Sequence, residues 1–200
     1  GNASDNEKIN KEYLKYNNPV ADTIDDDEKN IIIVPEVKSG ISFLKSFFKI
    51  KKIVYWLSVD NFYNTYFYKK NELINFYYDS YPISRLNEFN DVVLHMAQSY
   101  YALEHLEKKG FSNAVFLGDH LNIEDEFLKV DMNKKEKIVA YNPAKGFNFT
   151  KKIIEKAYDI EFVELKNMTR KELLNTLEKC MVYIDFGNFP GKDRIPREAA

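Results

Sequence analysis

Short runs of β-branched and other apolar residues alternate with longer amphipathic segments along most of the chain. Each run spans only a few residues and is bounded by polar or turn residues, which is typical of strands buried in a parallel sheet. The runs occupy residues 31–34, 53–57, 92–94, 114–117, 138–141, 162–165 and 181–184. Because strands that alternate with helices form βαβ units, the sequence predicts an α/β protein with parallel sheets.

The segments between the runs carry helix signals. Gly110 follows an apolar and charged segment at 103–108, where it predicts a helix C-cap. Residues 169–172 (TRKE) match a capping box and predict the start of another helix, and the apolar spacing at 150–157 predicts a third. The acidic run at 25–28 has no second acidic cluster beside it, so we interpret it as a solvated loop and not as a metal site.

Charge and cysteine content exclude several classes of protein. The 200 residues include 29 Lys and Arg against 31 Asp and Glu, a net charge of −2, whereas a dedicated nucleic-acid-binding protein usually has a basic excess. The single cysteine, Cys180, excludes an intrachain disulfide framework. No apolar run approaches the ~20 residues that cross a bilayer, and no signal peptide is evident, so we expect a cytoplasmic protein.

A polar, charged segment at 129–137 separates the first four strand and helix units from the last three. Such a break predicts a linker between two α/β domains. We therefore assign residues 1–135 to a first domain and residues 136–200 to a second one.

Polar residues follow several of the predicted strands, where open α/β sheets bind their ligands. Asn142, Lys145 and Gly146 lie between the fifth run and a helix. Backbone N–H groups, a helix dipole and an ammonium at one place suit a phosphate or diphosphate, although an Asn-Pro turn with an exposed lysine explains the same residues. Lys192 and Arg194 form a second cationic loop after the last run, and two such loops favour an anionic ligand.

The first domain offers a carboxylate, a hydroxyl and an imidazole at its strand ends, in Asp60, Ser99 and His120. His95 lies at the end of an apolar run and is interpreted as a core histidine, and His105, on a charged helical face, as a surface residue. No pair of histidines has the spacing of a zinc-binding helix.

Segment 61–81 interleaves aromatic residues with Lys69 and Lys70. Two interpretations fit this pattern: a surface for a membrane or an acceptor, or a helix packed by its aromatic side chains. The second is favoured because the whole chain is rich in aromatic residues, which make up 15% of it.

Several strings together resemble those of bacterial GT-B glycosyltransferases of the retaining kind, which build surface polysaccharides. They are IIIVPE (31–36), KIVYWLSVDNF (52–62), HMAQSYYA (95–102), FLGDHLN (116–122), YNPAKGF (141–147) and, most specific, GNFPGKDRIPREAA (187–200).

The resemblance implies two Rossmann-like domains that face each other across a cleft, the first receiving the acceptor and the second binding a nucleotide-sugar. Asp60, Ser99 and His120, at strand ends of the first domain, are then expected to face the acceptor. It places Lys145 on the donor diphosphate and Glu198 on the nucleotide ribose. Lys145 and Arg194 are therefore the candidates for stabilising the leaving group, with Asn142, Gly146, Lys192 and Glu198 as the other predicted donor-binding residues. A second glutamate that related enzymes often carry is replaced here by Pro190.

The resemblance also implies a hexosyltransferase that needs no metal and no cofactor besides its nucleotide-sugar donor. Its acceptor would be a glycan or a lipid-linked glycan, met at the inner face of the membrane, and no nucleic-acid partner is expected. Complete enzymes of this kind are much longer, so we expect the second domain to be incomplete and the chain alone to have little activity.

Two alternatives to an enzyme of this kind remain. One is a non-catalytic α/β module that binds a sugar or a nucleotide, which the proline at position 190 favours. The other is a flavodoxin-like domain, which would have one continuous five-stranded sheet and is disfavoured by the seven runs.

Overall fold

The structure, a computed structural model, describes residues 16–17, 21, 23–67, 76–121, 131–189 and 191–200. Each predicted run forms a strand close to its expected position. In chain order the elements are β1 (Ile31–Pro35), α1 (Lys38–Phe43), β2 (Lys51–Trp56), α2 (Val59–Tyr66), β3 (Val92–Ala97), α3 (Tyr100–Lys108), β4 (Ala114–Phe116), β5 (Glu136–Tyr141), α4 (Phe147–Ile154), β6 (Glu161–Glu164), α5 (Arg170–Lys179), β7 (Cys180–Ile184) and α6 (Arg194–Ala199). Short 3-10 turns occupy Leu44–Ser46, Ile83–Arg85, Asn87–Phe89 and Met132–Lys134.

The strands form two sheets, a four-stranded one in the order β1-β2-β3-β4 and a three-stranded one in the order β6-β5-β7. Every pairing in both sheets is parallel. The protein is therefore mixed α/β with Rossmann-like parallel sheets, and the described residues do not form the continuous sheet of the flavodoxin-like alternative. The division into domains at 1–135 and 136–200 stays a prediction, and residues 129–130 of the predicted linker lie outside the described residues.

The helices of the first sheet cover one of its faces. Along β1, Ile32 and Val34 are buried while Ile31 and Ile33 are more than half exposed. Right-handed crossovers between neighbouring parallel strands place successive helices on the same face of a sheet, and buried residues of α1, α2 and α3 pack with those of the strands. A second, smaller core lies in the other sheet, around Ala140, Leu165, Leu177 and Cys180.

The centre of the first core is a hydrogen bond between two aromatic side chains. Trp56 in β2 is 0% exposed, and its Nε1 donates a 3.0 Å hydrogen bond to Nδ1 of His95 in β3. Burial lowers the pKa of His95 to about 4, so its ring is neutral at pH 7. The interpretation of His95 as a core histidine is confirmed.

Trp56→Phe is expected to lower the free energy of unfolding by about 2 kcal/mol, because it leaves the buried Nδ1 of His95 without a donor and removes packed volume. Urea denaturation followed by circular dichroism would measure the change. Tyr158→Phe, at a position that is 94% exposed, is the matched control and should leave the midpoint of the urea transition unchanged. An unchanged transition for Trp56→Phe would contradict the argument.

His105 is not a surface residue, so that interpretation was wrong. It is 8% exposed on α3, and its Nε2 lies 2.9 Å from the hydroxyl of Tyr63 in α2. Charged neighbours along α3 suggested an exposed face, but tertiary contacts decide burial, and the partner of His105 is 42 positions away in the sequence.

The acidic run at 25–28 is exposed for the most part, yet one member orders the chain before β2. The carboxylate of Asp26 accepts hydrogen bonds from the backbone N–H groups of Phe48, Lys49 and Ile50 at 2.8–2.9 Å. These bonds, that from Ile50 foremost, lower the pKa of Asp26. The interpretation as a merely solvated loop therefore missed a structural carboxylate.

The local helix signals were largely correct. The capping box is present, with Thr169 and Glu172 each bonded to the backbone of the other. Gly110 has a φ of +90° and closes α3 as predicted, with Phe111 N–H bonded to the Leu106 carbonyl. The helix predicted from 150–157 begins earlier, at Phe147, and ends at Ile154.

The aromatic segment 61–81 is described only in part, because residues 68–75 lie outside the described residues. Within α2, Phe62 and Tyr63 are buried at 0% and 2% exposure, which supports the interpretation of a helix packed by its aromatic side chains. No helix of the described residues is long and apolar enough to cross a bilayer.

Candidate functional site

The loops at the carboxyl ends of the two sheets contact each other. Ser58, after β2, and Gly191, after β7, form an isolated antiparallel bridge. A side chain at Gly191 would overlap the carbonyl oxygen of Leu57, so this close approach requires glycine. A second link joins Asp60, whose carboxylate accepts a 2.5 Å hydrogen bond from the side-chain amide of Asn188. The loops at the carboxyl ends of the two sheets, where open parallel sheets bind ligands, are therefore in contact with each other.

Lys145 lies in the loop after β5, the central strand of the second sheet. Its ammonium pairs with the carboxylate of Asp193, donates a 3.1 Å hydrogen bond to the carbonyl of Asn188 and lies 4.8 Å from the ring centre of Phe189. Its side chain is 26% exposed. Asn188 therefore bridges Lys145, a candidate for binding the donor, and Asp60, a candidate for facing the acceptor.

Asn142 and Gly146 shape the loop that carries Lys145. The side-chain oxygen of Asn142 accepts a 3.0 Å hydrogen bond from the N–H of Ala144, which closes a turn. Gly146 precedes α4 with a φ of +63°, and a Cβ there would overlap the carbonyl group of Phe186. The loops after β5 and β7 are therefore in direct backbone contact.

Glu198, the candidate for the ribose, is held by two arginines. Its carboxylate accepts a 2.6 Å hydrogen bond from Arg170 and pairs with Arg194 one turn earlier on α6. Burial of this side chain, which is 1% exposed, opposes ionisation, but the two guanidinium groups outweigh burial and hold the pKa of Glu198 below its usual range. Arg194, a candidate for the leaving group, is thus tied to its own helix, with 56% of its side chain exposed.

The remaining predicted residues occupy different positions. The ammonium of Lys192 lies 5.6 Å from the ring centre of Phe116 in β4, so it extends toward the first sheet. Ser99 caps α3, and its hydroxyl accepts a 3.1 Å hydrogen bond from the N–H of Ala102. His120 is exposed, and no contact within the described residues joins it or Ser99 to Lys145. Position 190, the proline, lies outside the described residues.

An ion pair between the two sheets was not predicted from the sequence. Arg197 on α6 donates hydrogen bonds of 3.0 and 2.8 Å to the two carboxylate oxygens of Asp119, after β4, and a third of 3.1 Å to the carbonyl of Asp193. Burial opposes the ionisation of Asp119, but Arg197 outweighs it and lowers its pKa. A Gly-Asp pair after the fourth run was the available signal, but its partner lies 78 positions later.

Glu36, directly after β1, is a second residue that sequence reasoning left out of the site. It is 1% exposed, and its carboxylate accepts hydrogen bonds of 3.0 and 3.1 Å from the N–H groups of Leu57 and Ser58. Burial raises the pKa of Glu36 more than these two bonds lower it. Glu36 therefore fixes the loop that bridges to Gly191.

Three cations of the arrangement are paired with carboxylates of the chain: Lys145 with Asp193, Arg197 with Asp119 and Arg194 with Glu198. An anion at any of these cations would therefore have to replace a carboxylate of the chain. Within the described ranges, no group of three or more His, Cys, Asp or Glu side chains is placed to hold a metal ion.

Comparison with known proteins gives little further information. No family model and no curated protein matches the sequence. Among solved structures, the chain is similar to one in the crystal structure of accessory secretory protein 1,2 and 3 in Streptococcus pneumoniae, with 13% identity and a TM-score of 0.48. The match covers 94% of this chain and 40% of that one. A similarity this distant carries no argument about function.

Proposed function

We propose that this protein takes part in moving a sugar from a nucleotide-sugar donor to a surface polysaccharide or glycolipid. The acceptor would be a glycan or lipid-linked glycan at the inner face of a membrane. The observation that supports this most is the position of Lys145, at the end of the central strand of the second sheet and joined through Asn188 to Asp60 of the first. A diphosphate after β5 would meet an ammonium and the N-terminus of α4 together.

In the proposed reaction, the bond between the anomeric carbon and a diphosphate oxygen breaks, and an acceptor hydroxyl oxygen bonds to that carbon. The hydroxyl proton passes to the departing diphosphate. Negative charge grows on the diphosphate in the transition state, so a cation already held beside it lowers the barrier. Lys145 would be that cation and Arg194 a second one, with Asn142 and Gly146 shaping the loop.

The proposed donor would compete with groups of the chain itself. A diphosphate has to replace Asp193 at the ammonium of Lys145, and a ribose at Glu198 has to share its carboxylate with Arg170 and Arg194. Because Lys145 is partly exposed, the exchange does not require the core to open.

A non-catalytic module that binds a sugar or a nucleotide is the second candidate. The observation that favours it is the pairing of Lys145, Arg194 and Arg197 with carboxylates of the chain, since compensated cations attract a diphosphate less strongly than uncompensated ones. A glycosylated product formed by the intact protein from any donor would exclude this candidate.

Calorimetric titration of UDP, GDP, ADP, CMP and dTDP, and of their common sugar conjugates, tests the proposal. We expect saturable binding of one nucleotide and tighter binding of one of its conjugates. The identity of that conjugate would then name the donor for an assay of product formation. An absence of binding by all of them would overturn the donor site.

A further inference from the structure

Four phenylalanine side chains at the carboxyl end of the second sheet are exposed to solvent. They are Phe147 and Phe149, in the first turn of α4, and Phe186 and Phe189, in the loop after β7, each with 41–54% of its surface exposed. Among the described residues from 131 onward, Tyr158 is the only other aromatic side chain that is so exposed. A cluster of exposed apolar side chains marks a contact with another molecule, whereas a single one needs no explanation.

Three of these rings form one surface that the packing of the loops keeps at the outside. The ring centres of Phe149 and Phe186 lie 4.6 Å apart, and Phe189, three positions later, has the ammonium of Lys145 4.8 Å from its ring centre. None of the three belongs to the core of the second sheet. Gly146 already contacts the backbone of Phe186, so the loop cannot move closer to α4. We call Phe149, Phe186 and Phe189 the aromatic surface.

The side of α4 that carries the aromatic surface is basic. Lys152 in α4 and Lys156 in the turn that follows it lie three and seven positions after Phe149, a spacing that places residues on one side of a helix. Both lysines are exposed, and neither makes an ion pair within the part of the chain that the structure describes. The carboxylate between them in sequence, Glu155, faces Lys151 at 3.9 Å. Lys152 and Lys156 are therefore available to a negative partner.

The carboxylates of the two loops are used within the chain. Asp185 accepts hydrogen bonds of 2.8 and 3.0 Å from the hydroxyl of Tyr183 and the N–H of Gly187. Asp193 pairs with Lys145. This part of the molecule therefore presents phenylalanine rings beside two ammonium groups that no carboxylate of the described residues compensates.

This combination complements a negatively charged bilayer. Phenylalanine rings can enter the boundary between headgroups and acyl chains while lysine ammonium groups remain with the anionic headgroups. A second copy that met the same surface across a two-fold axis would instead bring the lysines of both copies together, which like charge opposes.

We propose that the aromatic surface, with Lys152 and Lys156, binds an anionic lipid bilayer. The contact between Lys145 and Phe189 would then place the candidate donor site at the bilayer surface, where a lipid-linked acceptor is met. The inference rests on the proposed function for that acceptor, but the binding of lipid itself needs no nucleotide.

Sedimentation of the whole chain with lipid vesicles, without any nucleotide, tests the inference. The probes are vesicles of phosphatidylcholine alone and of phosphatidylcholine with about one third phosphatidylglycerol. We expect at least about tenfold tighter binding to the anionic vesicles than to the neutral ones, and weaker binding as salt is added. Equal binding to both kinds, or binding to neither, would overturn the proposal. Because the donor titration uses no lipid, a failure there and a failure here are separate results.

Charge variants locate the contact on the molecule. Lys152→Gln/Lys156→Gln is expected to weaken binding to the anionic vesicles by about tenfold, and to leave nucleotide affinity in lipid-free solution unchanged. Lys134→Gln/Lys179→Gln, at exposed lysines that precede β5 and β7 at the other end of the second sheet, changes the net charge equally and is the matched control. It should alter vesicle binding by less than about twofold. Equal weakening by the two pairs would mean that overall charge, and not this surface, attracts the lipid.

Ring variants test whether the aromatic surface enters the bilayer. Phe149→Ser/Phe186→Ser is expected to weaken binding to the anionic vesicles by about tenfold or more, whereas Tyr158→Ser, at an exposed ring outside the surface, should change it by less than about twofold. Phe186→Trp keeps an apolar ring, and its emission should shift to shorter wavelength when anionic vesicles are added. Trp56, the single tryptophan of the unmodified chain, is 0% exposed and should show no shift.

The Phe186→Trp measurement keeps the test decisive should the double serine variant not fold. Unshifted emission from Phe186→Trp, or full vesicle binding by a folded Phe149→Ser/Phe186→Ser, would refute the contact. Self-association of the chain that the double serine variant abolishes, without vesicle binding, would identify an interface between copies and would overturn the proposal as well.

Discussion

Lys145→Ala is expected to weaken binding of the donor nucleotide by about tenfold to a hundredfold, and to slow sugar transfer by at least about tenfold. A hydrogen bond to a charged partner contributes about 1.5–3 kcal/mol, and every 1.4 kcal/mol corresponds to about a factor of ten. The loss has a second source, because the alanine variant leaves Asp193 uncompensated where the diphosphate would lie. Calorimetry with the nucleotide that binds the unmodified protein would measure it.

Two further variants separate these contributions. Asp193→Asn removes the competing carboxylate and should strengthen nucleotide binding by about threefold, while the double variant Lys145→Ala/Asp193→Asn isolates the loss of the ammonium. Lys152→Ala, at an exposed lysine of α4, is the matched control and should bind as the unmodified protein does. Equal nucleotide affinity for Lys145→Ala and the unmodified protein would remove Lys145 from the donor site.

The architecture was predictable because its determinants are local. Each run is a short apolar stretch bounded by polar or turn residues, and this marks it as a strand without knowledge of its neighbours, even though one face of the first sheet is exposed. The capping box at Thr169 and the positive φ of Gly110 are likewise set by residues within a few positions. Such features need no long-range information, so the strand positions and several helix ends followed from the sequence.

The electrostatics of the candidate site were not predictable in the same way. Lys145 was identified from its loop, but its partner Asp193 lies 48 positions later, and the pairing arises only because the loops after β5 and β7 meet. His105 shows the same limit, because charges along α3 indicated an exposed face whereas the ring is buried against Tyr63 of α2. The sequence shows which residue types follow each strand, but only the fold determines which of these side chains pair with one another.

Glu198→Gln is expected to lower the free energy of unfolding by about 3 kcal/mol near neutral pH, more than Trp56→Phe does. The carboxylate compensates Arg170 and Arg194 from a position that is 1% exposed, and an amide keeps the shape of the side chain but not its charge. Arg194 is more than half exposed and can be hydrated again, which keeps the loss at the lower end for a broken buried pair. Glu155→Gln, which weakens an exposed 3.9 Å pair with Lys151, is the control and should cost less than about 0.5 kcal/mol.

The pH dependence of this difference separates charge from packing. Glu198 has a pKa below its ordinary value of 4.5 in the folded protein, so its charge stabilises the fold fully above that ordinary value. The contribution then declines as the pH falls from 4.5 through the lower folded pKa, where the carboxyl takes up its proton. Urea transitions of Glu198→Gln and the unmodified protein should therefore lie far apart at pH 7 and converge in acid. A separation that stays constant as the pH falls would mean that packing around Glu198, and not its pairing with the two arginines, holds α6 against α5.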